Sequence, residues 1–572
     1  ESPMTHMSAS EAFVETLASH GVTDVFGIVG SAYMDALDIF EPAGIRFYSV
    51  AHEQAAAHMA DGYSRVSGRH GVCIAQNGPG VTNFVTAIAA AYWAHSPVVC
   101  ITPQAGIGGE GLGGFQETDQ MPIFEKITKY QVEVKSHARM AELTHRAFTL
   151  AMAENGPTQL NIPRDQFYGE ADHQIVPPRH IERSAGGPES LDAAAALLAG
   201  ARFPVILAGG GVVMAGGQAD AVALAEYLGA PVACSYLHND AFPADHELWA
   251  GPIGYQGHKT AMNLISQADV VLALGSRLGP FGTLPQHGLE YWPEDARIVQ
   301  VDTDHRALGL VRDVEVAVCG DAGAASREIL DRLKNLEVTA HASRDTRMTE
   351  LAAQREAWES ELTEWSSADG SPVAPRRALR ELERAMPTDA VVSTDIGNVC
   401  SVSNSYLRFD RPNSFLAAMS FGNCGYAFPT AMGAKVAAPD RPVVAYVGDG
   451  AWGMSLAEMM TCVREDIPVV AVVFNNGQWG AEKKNQVEFY DNRYVGTNLA
   501  NPSFAEVARS MGGNGLTVDA PDQVGDGLRE ALGSNRPTVL EVMCTTELGD
   551  PFRRDALKLP VRVLDKYKGY EA

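Results

Sequence analysis

Short apolar runs alternate with helix-length segments along almost the whole chain. Examples are VTDVFGIVG, GVCIAQNGPG and SPVVCITPQ, each closed by glycine, proline or a polar turn. Such β-rich runs separated by helices are typical of parallel sheets wrapped by helices. The pattern therefore predicts an α/β fold.

Two stretches interrupt this alternation and predict three domains. Residues 169–190 are polar and rich in proline and glycine, and residues 341–376 hold a charged helix that gives way to a segment of small residues. Such stretches commonly join domains, and 572 residues exceed what one hydrophobic core usually supports. We predict an N-terminal domain over 7–180, a central α/β domain over 186–340 and a C-terminal domain over 372–560.

The net charge and the composition exclude several classes of partner for this protein. The formal net charge is −26, so nucleic acids and anionic membranes would be repelled. No apolar run approaches the roughly 18 residues that a bilayer span needs, and the first residues lack the pattern of a signal peptide. The eight cysteines are scattered with no C-x-x-C pair, which is typical of a reducing compartment. We expect a cytoplasmic protein with no nucleic-acid or membrane partner.

The most specific signal is the segment RPVVAYVGDGAWGMSLAEMMTCVREDIPVVAVVFNN, residues 441–476. Its pattern predicts a strand over 443–447, a turn over 448–450, a helix over about 455–465 and a second strand over 468–474. Gly-Asp-Gly closes the first strand and Asn-Asn closes the second. The segment is therefore a βαβ unit with polar residues at both strand ends.

In a parallel βαβ unit both strands end at the same sheet edge, so Asp449 and Asn476 can converge. One carboxylate and one amide oxygen form a hard oxygen site suited to Mg²⁺ or Ca²⁺, which phosphate oxygens and water complete. The glycines let the backbone approach a diphosphate, and the helix N-terminus favours its negative charge. The motif predicts a divalent cation bound together with a diphosphate.

This motif resembles the cofactor motif of thiamine-diphosphate-dependent enzymes, whose fold has three domains, each a mostly parallel sheet covered by helices. The resemblance implies thiamine diphosphate as cofactor, with Mg²⁺ or Ca²⁺ bound by the Asp449 and Asn476 side chains and by the Gln478 carbonyl. It also implies cofactor contacts within the motif, at Gly448, Asp449, Gly450, Ala451 and Asn476.

Two further segments resemble cofactor-binding parts of that family. STDIGNV is similar to a second diphosphate-binding turn, which implies contacts from four consecutive residues, Ile396, Gly397, Asn398 and Val399. SFGNCGYAFP is similar to the segment whose backbone holds the aminopyrimidine ring, with Gly422 as the matching residue. Where the family commonly has a bulky apolar residue wedged under the cofactor, this chain has Cys424, and Asn423 or Tyr426 could share that task.

The segment AHEQAAAHMADGYSRVSG resembles the part of the family that carries its activating glutamate. That resemblance implies that Glu53 hydrogen-bonds the pyrimidine nitrogen and favours the imino tautomer, which removes the thiazolium C2 proton. A glutamate at a helix N-terminus is also favoured by the helix dipole alone. The loop QNGPGVTN, residues 76–83, would pack near the cofactor. In relatives the two halves of the site meet only across a subunit interface, which implies at least a homodimer and commonly a homotetramer.

Within the family, residues 113–130 resemble acetolactate synthases and their kin, while nearly the whole chain resembles acetyltransferases that act on sulfoacetaldehyde, most distinctively over residues 418–490. The second resemblance implies conversion of sulfoacetaldehyde and phosphate into acetyl phosphate and sulfite, through cofactor-bound enamine and acetyl intermediates. Two alternatives stay open. One is an acetolactate synthase-like carboligase or lyase acting on a 2-keto acid. The other is a non-catalytic relative that binds a nucleotide or a partner through the central domain, whose glycine-rich turn at 209–217 matches G-x-G-x-x-G poorly.

Both proposed substrates are anions, so a locally basic pocket is expected in this acidic protein. The basic candidates, each of which is alternatively a surface charge, are Lys483, Lys484, Arg408 and Arg493. His95 and Gln116 are candidates to orient the aldehyde or to transfer a proton. A hydrogen-bonded core histidine is an equally good interpretation of His95.

Overall fold

The computed structural model describes residues 2–418, 420–547, 549 and 558–570. Within these residues the chain forms three six-stranded parallel sheets, one after another along the sequence, each packed against helices. The predicted α/β fold is confirmed. The domain boundaries stay predictions, and parts of the predicted C-terminal domain lie outside the described residues, namely 419, 548 and 550–557.

The N-terminal unit contains the first of these sheets. Its strands are β1 Met4–Ser8, β2 Asp24–Gly27, β3 Arg46–Ser49, β4 Gly71–Ile74, β5 Val98–Gln104, β6 Tyr130–Glu133, β7 Thr158–Pro163 and β8 Glu170–Gln174. Its helices are α1 Ala9–Ser19, α2 Met34–Leu37, α3 Glu53–Ser67, α4 Pro79–Thr82, α5 Val85–Ala94, α6 Met121–Phe124 and α7 Met140–Ala153. The sheet order is β3-β2-β4-β5-β7-β6, while β1 and β8 form a separate antiparallel ribbon.

Strand β8 lies inside the stretch 169–190, which composition predicts to be a linker. Its backbone pairs with β1, from Met4 opposite Gln174 to Ser8 opposite Glu170. A partner strand so far away along the chain leaves no signal in local composition, although β8 falls within the predicted N-terminal domain over 7–180. Helical structure resumes at Pro188.

The central unit has a second parallel sheet. Its strands are β9 Pro204–Ala208, β10 Val232–Cys234, β11 Trp249–Pro252, β12 Val270–Leu274, β13 Arg297–Asp302 and β14 Val316–Cys319, in the order β11-β10-β9-β12-β13-β14. Its helices are α8 Pro188–Gly200, α9 Gly210–Met214, α10 Gln218–Leu228, α11 Lys259–Ser266 and α12 Ala322–Leu333. The charged helix predicted after it is α13 Arg344–Trp365.

The C-terminal unit has the third sheet. Its strands are β15 Val391–Thr394, β16 Phe415–Ala417, β17 Val443–Gly448, β18 Val470–Asn475, β19 Asn514–Val518 and β20 Thr538–Met543, in the order β16-β15-β17-β18-β20-β19. Its helices are α14 Pro375–Ala385, α15 Asn398–Val402, α16 Ala427–Ala437, α17 Asp449–Ser455, α18 Glu458–Glu465, α19 Gly480–Phe489, α20 Phe504–Ser510 and α21 Pro521–Gly533. The central strands β17 and β18 are almost wholly buried, as expected for apolar runs covered on both faces. In the part of the chain that the structure describes, no helix combines the length and the apolar character that a bilayer crossing demands.

Helix α17 begins earlier than the sequence pattern predicts. The expected turn over 448–450 is absent, because Asp449 is already the first residue of the helix that follows β17. The Asp449 side chain accepts a hydrogen bond from the N–H of Gly450, and an acidic residue in the first turn stabilises a helix N-terminus. The helix predicted over about 455–465 corresponds to α18, and α17 is a further helix that precedes it. Asp449 is therefore held on a helix rather than on a loop.

Helices α3 and α16 join the N-terminal unit to the C-terminal unit. Their buried side chains belong to one continuous apolar cluster. The two backbones approach so closely that a Cβ added at Gly62 would lie 2.0 Å from the Thr430 carbonyl oxygen, and one at Gly433 would lie 1.9 Å from that of Met59. Only glycine fits at these two positions, so the contact holds Glu53 at the start of α3 in a fixed relation to the C-terminal sheet.

Replacing Gly433 by alanine is expected to lower the free energy of unfolding by about 1–3 kcal/mol, because the added methyl group has no space between the two helices. Thermal unfolding of the variant measures the effect. The control is Gly533→Ala at the end of α21, where an added Cβ meets no atom within 4 Å. Equal stability of the two variants would contradict the role given to the helix contact.

Candidate active site

The polar residues of the βαβ motif meet at the carboxyl edge of the third sheet. Strands β17 and β18 are neighbours, so the residues that follow them lie side by side. The Asp449 Oδ2 atom accepts hydrogen bonds from the backbone N–H of Asn476 at 3.1 Å and of Gly477 at 2.6 Å. Burial raises the pKa of the Asp449 carboxyl, and the N–H donors around it oppose that shift. The structure thus brings together the two residues that the spacing predicts to converge.

A second amide extends this cluster. Asn501 Nδ2 donates to Asp449 Oδ2 at 2.8 Å and to the Asn475 side-chain oxygen at 2.9 Å. Asn475 donates in turn to Glu541 at 3.0 Å, so its side chain is committed to the sheet interior. The side chain of Asn475 therefore fixes the end of β18, whereas Asn476 lies beside Asp449.

Gln478 lies next to the same cluster and is buried. Its Nε2 atom donates to the Thr546 carbonyl at 3.2 Å, whereas its Oε1 atom has no hydrogen-bond partner among the described residues. An acceptor oxygen buried without a partner is costly. An additional donor or a cation at this position would satisfy it.

The two other predicted cofactor segments are held together by Asp395, at the end of β15. Its carboxylate accepts hydrogen bonds from the N–H groups of Ile396 at 3.0 Å, Gly425 at 3.1 Å and Ala427 at 3.0 Å. Burial raises the pKa of Asp395 to about 7. One buried carboxyl therefore aligns the turn before α15 with the segment before α16.

The turn before α15 also supplies the other predicted residues. Gly397 immediately precedes α15, and Val399 packs into the core of the C-terminal unit. Asn398 Oδ1 accepts a hydrogen bond from the N–H of Gly549 at 2.6 Å. Its side chain therefore links the turn to the segment that follows β20.

Three residues, Cys424, Asn423 and Tyr426, are candidates for the residue that would lie under the cofactor. Cys424 lies along the turn, with its sulfur 4.0 Å from the Ile396 carbonyl oxygen. Burial raises the pKa of this thiol to about 12, so it is neutral. Asn423 is engaged with His58 of α3 at 3.2 Å, and the Tyr426 hydroxyl accepts from Arg65 at 2.7 Å. Asn423 and Tyr426 are thus committed to α3. Gly422, beside them, donates its N–H to the Ala418 carbonyl at 3.0 Å.

Glu53 is the first residue of α3 and is partly exposed. Its Oε2 atom accepts a hydrogen bond from Asn83 Nδ2 at 2.9 Å. Its Oε1 atom faces the glycine-rich loop, where a Cβ added at Gly80 would lie 3.6 Å away. The loop 76–83 therefore lies against Glu53, as the sequence predicts, and within the described residues Oε1 has no side-chain donor.

Gln116 lies on the other side of that loop. Its Oε1 atom accepts a hydrogen bond from Gln76 Nε2 at 3.0 Å, and its backbone carbonyl accepts one from Asn77 Nδ2 at 2.9 Å. The structure thus brings Gln116, the glycine-rich loop and Glu53 into one cluster in the N-terminal unit.

His95 lies elsewhere, at the wall of a cavity of about 470 Å³ between the N-terminal and central units. Burial lowers its pKa to about 4, so the imidazole is neutral near pH 7. Arg277 and Ser420 line the same cavity and are joined by a 2.7 Å hydrogen bond. Ser420 precedes Gly422 by two residues, so the cavity borders the predicted pyrimidine segment. The glycine-rich turn of the central unit lines the opposite wall.

Helix α19 starts beside the βαβ motif. A Cβ added at Gly450 would lie 2.7 Å from the ring of Trp479, the residue before α19. Lys483 Nζ donates to Asn498 at 2.9 Å, and Lys484 forms a 3.0 Å ion pair with Glu488. Both lysines therefore lie on the helix that packs next to the motif.

The two candidate arginines are bound elsewhere. Arg493 donates to the Tyr570 carbonyl at 2.9 Å and lies 3.7 Å from Asp491. Arg408 donates to two carbonyls of its own segment and lies 3.6 Å from Glu359 of α13. Its guanidinium is 5.2 Å from the Trp249 ring, so it packs on the central unit.

Three family models match successive parts of the chain. They are the N-terminal TPP binding domain of the thiamine pyrophosphate enzymes over residues 7–123, their central domain over 191–333 and their C-terminal TPP binding domain over 395–542. The chain belongs to the thiamine pyrophosphate enzymes. The family resemblance drawn from the βαβ motif is therefore confirmed, and all three parts are in the expected order.

Relatives within the thiamine pyrophosphate enzymes match over the full length. A sulfoacetaldehyde acetyltransferase of Castellaniella defragrans is 60% identical over 99% of this chain and 98% of its own. One of Alcaligenes xylosoxydans xylosoxydans is 59% identical over 99% and 97%. A probable acetolactate synthase large subunit of Methanocaldococcus jannaschii is 31% identical over 98% and 97%. The chain is thus far more similar to the acetyltransferases than to this synthase.

Thiamine pyrophosphate enzymes use thiamine diphosphate, and the residues here fit that group. A Cβ added at Gly397 or Gly448 would meet no atom within 4 Å, so the backbone at both glycines borders open space that a diphosphate can enter. Among the described residues, no group of three or more His, Cys, Asp or Glu side chains is arranged so that it could hold a metal ion. A cation beside Asp449 would accordingly take one carboxylate, neutral oxygens and the diphosphate, which suits a hard divalent ion.

Sequence reasoning missed two residues of this site, Asp395 and Asn501. Asp395 stands within the STDIGNV segment, so it had a positional signal. Asn501 follows no motif, and only the fold brings it to Asp449.

Proposed function

We propose that this chain is an acetyltransferase that converts sulfoacetaldehyde and phosphate into acetyl phosphate and sulfite. The observation that carries the proposal is the 60% identity with a sulfoacetaldehyde acetyltransferase over 99% of the chain. The alternative of a 2-keto acid carboligase has weaker support, because the acetolactate synthase relative is 31% identical. The alternative of a non-catalytic relative has no support from the site, where Glu53 and the complete metal motif are present.

In this proposal Asp449, Asn476 and the carbonyl of Gln478 bind Mg²⁺ or Ca²⁺, and the backbone around Gly397 and Gly448 holds the diphosphate. The 3.1 Å contact between Asp449 and the Asn476 N–H supports a shared cation, since it sets the two residues side by side. When bound, thiamine diphosphate supplies a nucleophilic carbon and an electron sink for the negative charge that develops on the substrate carbon.

Glu53 has the role of holding a proton for the pyrimidine ring. Asn83 occupies Oε2, so Oε1 is the atom available for the ring nitrogen. By family resemblance this contact is made to a cofactor bound on another copy of the chain, so we propose a homodimer as the smallest complete unit and a homotetramer as the common form. The eight cysteines are free thiols, in keeping with the proposed cytoplasmic location.

Residues around the substrate have to accept two anions in an acidic protein. We assign this task first to Lys483 and Lys484, because α19 packs beside the motif. Arg493 and Arg408 follow, since both guanidinium groups already bind carbonyls and carboxylates. His95, neutral near pH 7, can accept a proton or a hydrogen bond from substrate but cannot supply a proton without first being protonated. Gln116 can orient the aldehyde through its amide.

The proposed function is tested by supplying the purified protein with thiamine diphosphate, Mg²⁺, sulfoacetaldehyde and phosphate. Equal amounts of sulfite and acetyl phosphate are expected, and omission of phosphate should stop acetyl phosphate formation. Pyruvate is the control substrate. Carbon dioxide release from pyruvate without sulfite release from sulfoacetaldehyde would replace the proposal by the carboligase alternative.

A further inference from the structure

We propose that Glu458 is a positioning residue for Glu53, acting through the backbone N–H groups of Ala51 and His52. The inference rests on the proposed role of Glu53 in activating the cofactor. It assigns a task to a buried carboxyl that neither the metal motif nor the predicted catalytic set accounts for.

Glu458 is the first residue of α18 and is 2% exposed. Its Oε1 atom accepts hydrogen bonds from the N–H of Ala51 at 2.9 Å and of His52 at 3.0 Å. Its Oε2 atom accepts from the Thr461 hydroxyl at 3.0 Å. The next residue after His52 is Glu53, so the carboxylate fixes the backbone at the point where the activating side chain leaves it.

Helix α18 holds the same segment at two further places. Arg464 donates to the Ser49 carbonyl, and Arg46 donates to the Glu465 carbonyl at 2.7 Å. These contacts lie at or near the helix end and are exposed, whereas the Glu458 contacts are partly buried. Glu458 is thus the contact that lies nearest to Glu53.

The energetics agree with a specific rather than an incidental contact. Burial raises the pKa of Glu458 to about 7, so keeping a carboxyl at this place is unfavourable unless its hydrogen bonds compensate. Removing it would also leave the N–H groups of Ala51 and His52 without the acceptor that holds this backbone in place. An apolar side chain would fill the space but could not hold the strand end.

The position of Glu458 also links two parts of the enzyme. Helix α17 begins with Asp449, and α18 follows it after two residues. One short stretch of chain therefore carries the proposed metal ligand at its start and the acceptor for the Glu53 segment nine residues later. A displacement of α17, the proposed diphosphate-binding helix, can therefore be transmitted through α18 and Glu458 to the segment that carries Glu53.

The test is the rate at which the C2 proton of bound thiamine diphosphate exchanges with deuterium, measured with Mg²⁺ and without substrate. Glu458→Ala is expected to slow this exchange by about 10-fold or more, because a displacement of about 1 Å can lower a rate by up to about 100-fold. Glu458→Gln keeps an acceptor oxygen and should stay within about 3-fold of the wild type. The kcat should fall with the exchange rate while KM for sulfoacetaldehyde changes little.

Two further measurements separate positioning from general loosening. Glu465→Gln, on the same helix, removes a charge but leaves the Glu458 contact, and is expected to exchange like the wild type. Backbone hydrogen exchange of the cofactor-free protein should show lost protection at residues 51 and 52 in Glu458→Ala. Should that variant fold poorly, Glu458→Asp, which withdraws the carboxylate by one methylene, should slow the exchange in the same direction.

Unchanged C2 exchange per bound cofactor in the Glu458→Ala and Glu458→Asp variants would overturn the inference, as would equal slowing by Glu465→Gln. The result is independent of the substrate. A wild-type protein that exchanges the C2 proton rapidly but releases no sulfite would refute the proposed function and leave the role of Glu458 intact.

Discussion

Replacing Glu53 by glutamine is expected to lower both sulfite release and C2 proton exchange of the bound cofactor by about 1000-fold, within the range that a positioned acid or base contributes. The amide oxygen of glutamine can still accept the hydrogen bond from Asn83, so the loop 76–83 and the start of α3 should stay in place. What the variant lacks is a group able to hold the ring proton. Turnover assays and deuterium exchange measure the loss, and calorimetric titration with thiamine diphosphate should give nearly unchanged affinity.

The matched control for Glu53→Gln addresses the alternative that the glutamate serves only the helix dipole. Glu142 is also an acidic residue in the first turn of a helix, α7, and pairs with Arg139 at 2.6 Å on the surface. Glu142→Gln should therefore match the wild type in activity and nearly in stability, since exposed charges of this kind contribute roughly 0.3–1 kcal/mol. If Glu53→Gln keeps more than about a tenth of the wild-type exchange rate, the role of Glu53 as general acid–base group is wrong.

Replacing Asp449 by alanine is expected to weaken binding of thiamine diphosphate with Mg²⁺ by more than about 100-fold, beyond the loss typical of an outer-shell partner of a metal. The change removes the carboxylate of the proposed cation site. It also removes the acceptor for the N–H groups of Asn476 and Gly477 and for Asn501. Calorimetric titration measures the affinity, and chelation of the divalent ion should abolish wild-type turnover until Mg²⁺ is restored.

Two further variants separate the loss of the Asp449 charge from the loss of its hydrogen bonds. Asp449→Asn retains acceptor and donor groups for the surrounding hydrogen bonds, so a loss of affinity there isolates the missing charge. Asn501→Ala leaves the carboxylate and removes one of its donors, and is expected to weaken binding by about 10-fold, as an outer-shell change does. Wild-type affinity in both Asp449 variants would exclude this residue as a metal ligand.

The site residues that could be predicted from the sequence are those whose positions are set within a single short segment of the chain. The spacing of Asp449 and Asn476 is a property of one βαβ unit, and strands β17 and β18 must end at a common edge. The start of α3 at Glu53 was predicted for the same reason, since a single segment contains it. Contacts of this kind require no knowledge of the rest of the fold.

The parts that could not be predicted depend on contacts between distant segments. Strand β8 has its partner at the other end of the N-terminal unit, and Asn501 reaches Asp449 only through the fold. The contacts of Arg408, a candidate anion-binding residue, also come from distant segments, since it lies 3.6 Å from Glu359 and packs on Trp249 of the central unit.

The crossing of α3 and α16 has a consequence for protein engineering. Gly62 and Gly433 both lie against backbone atoms of the facing helix, so the contacting surfaces of the two units are closely complementary there. A chimaera that takes its first third from one enzyme and its last third from another would need a residue without a side chain at both crossing points. Otherwise the added side chain would force the two helices apart, and the N-terminal part of the graft would be displaced from the C-terminal sheet of the same chain.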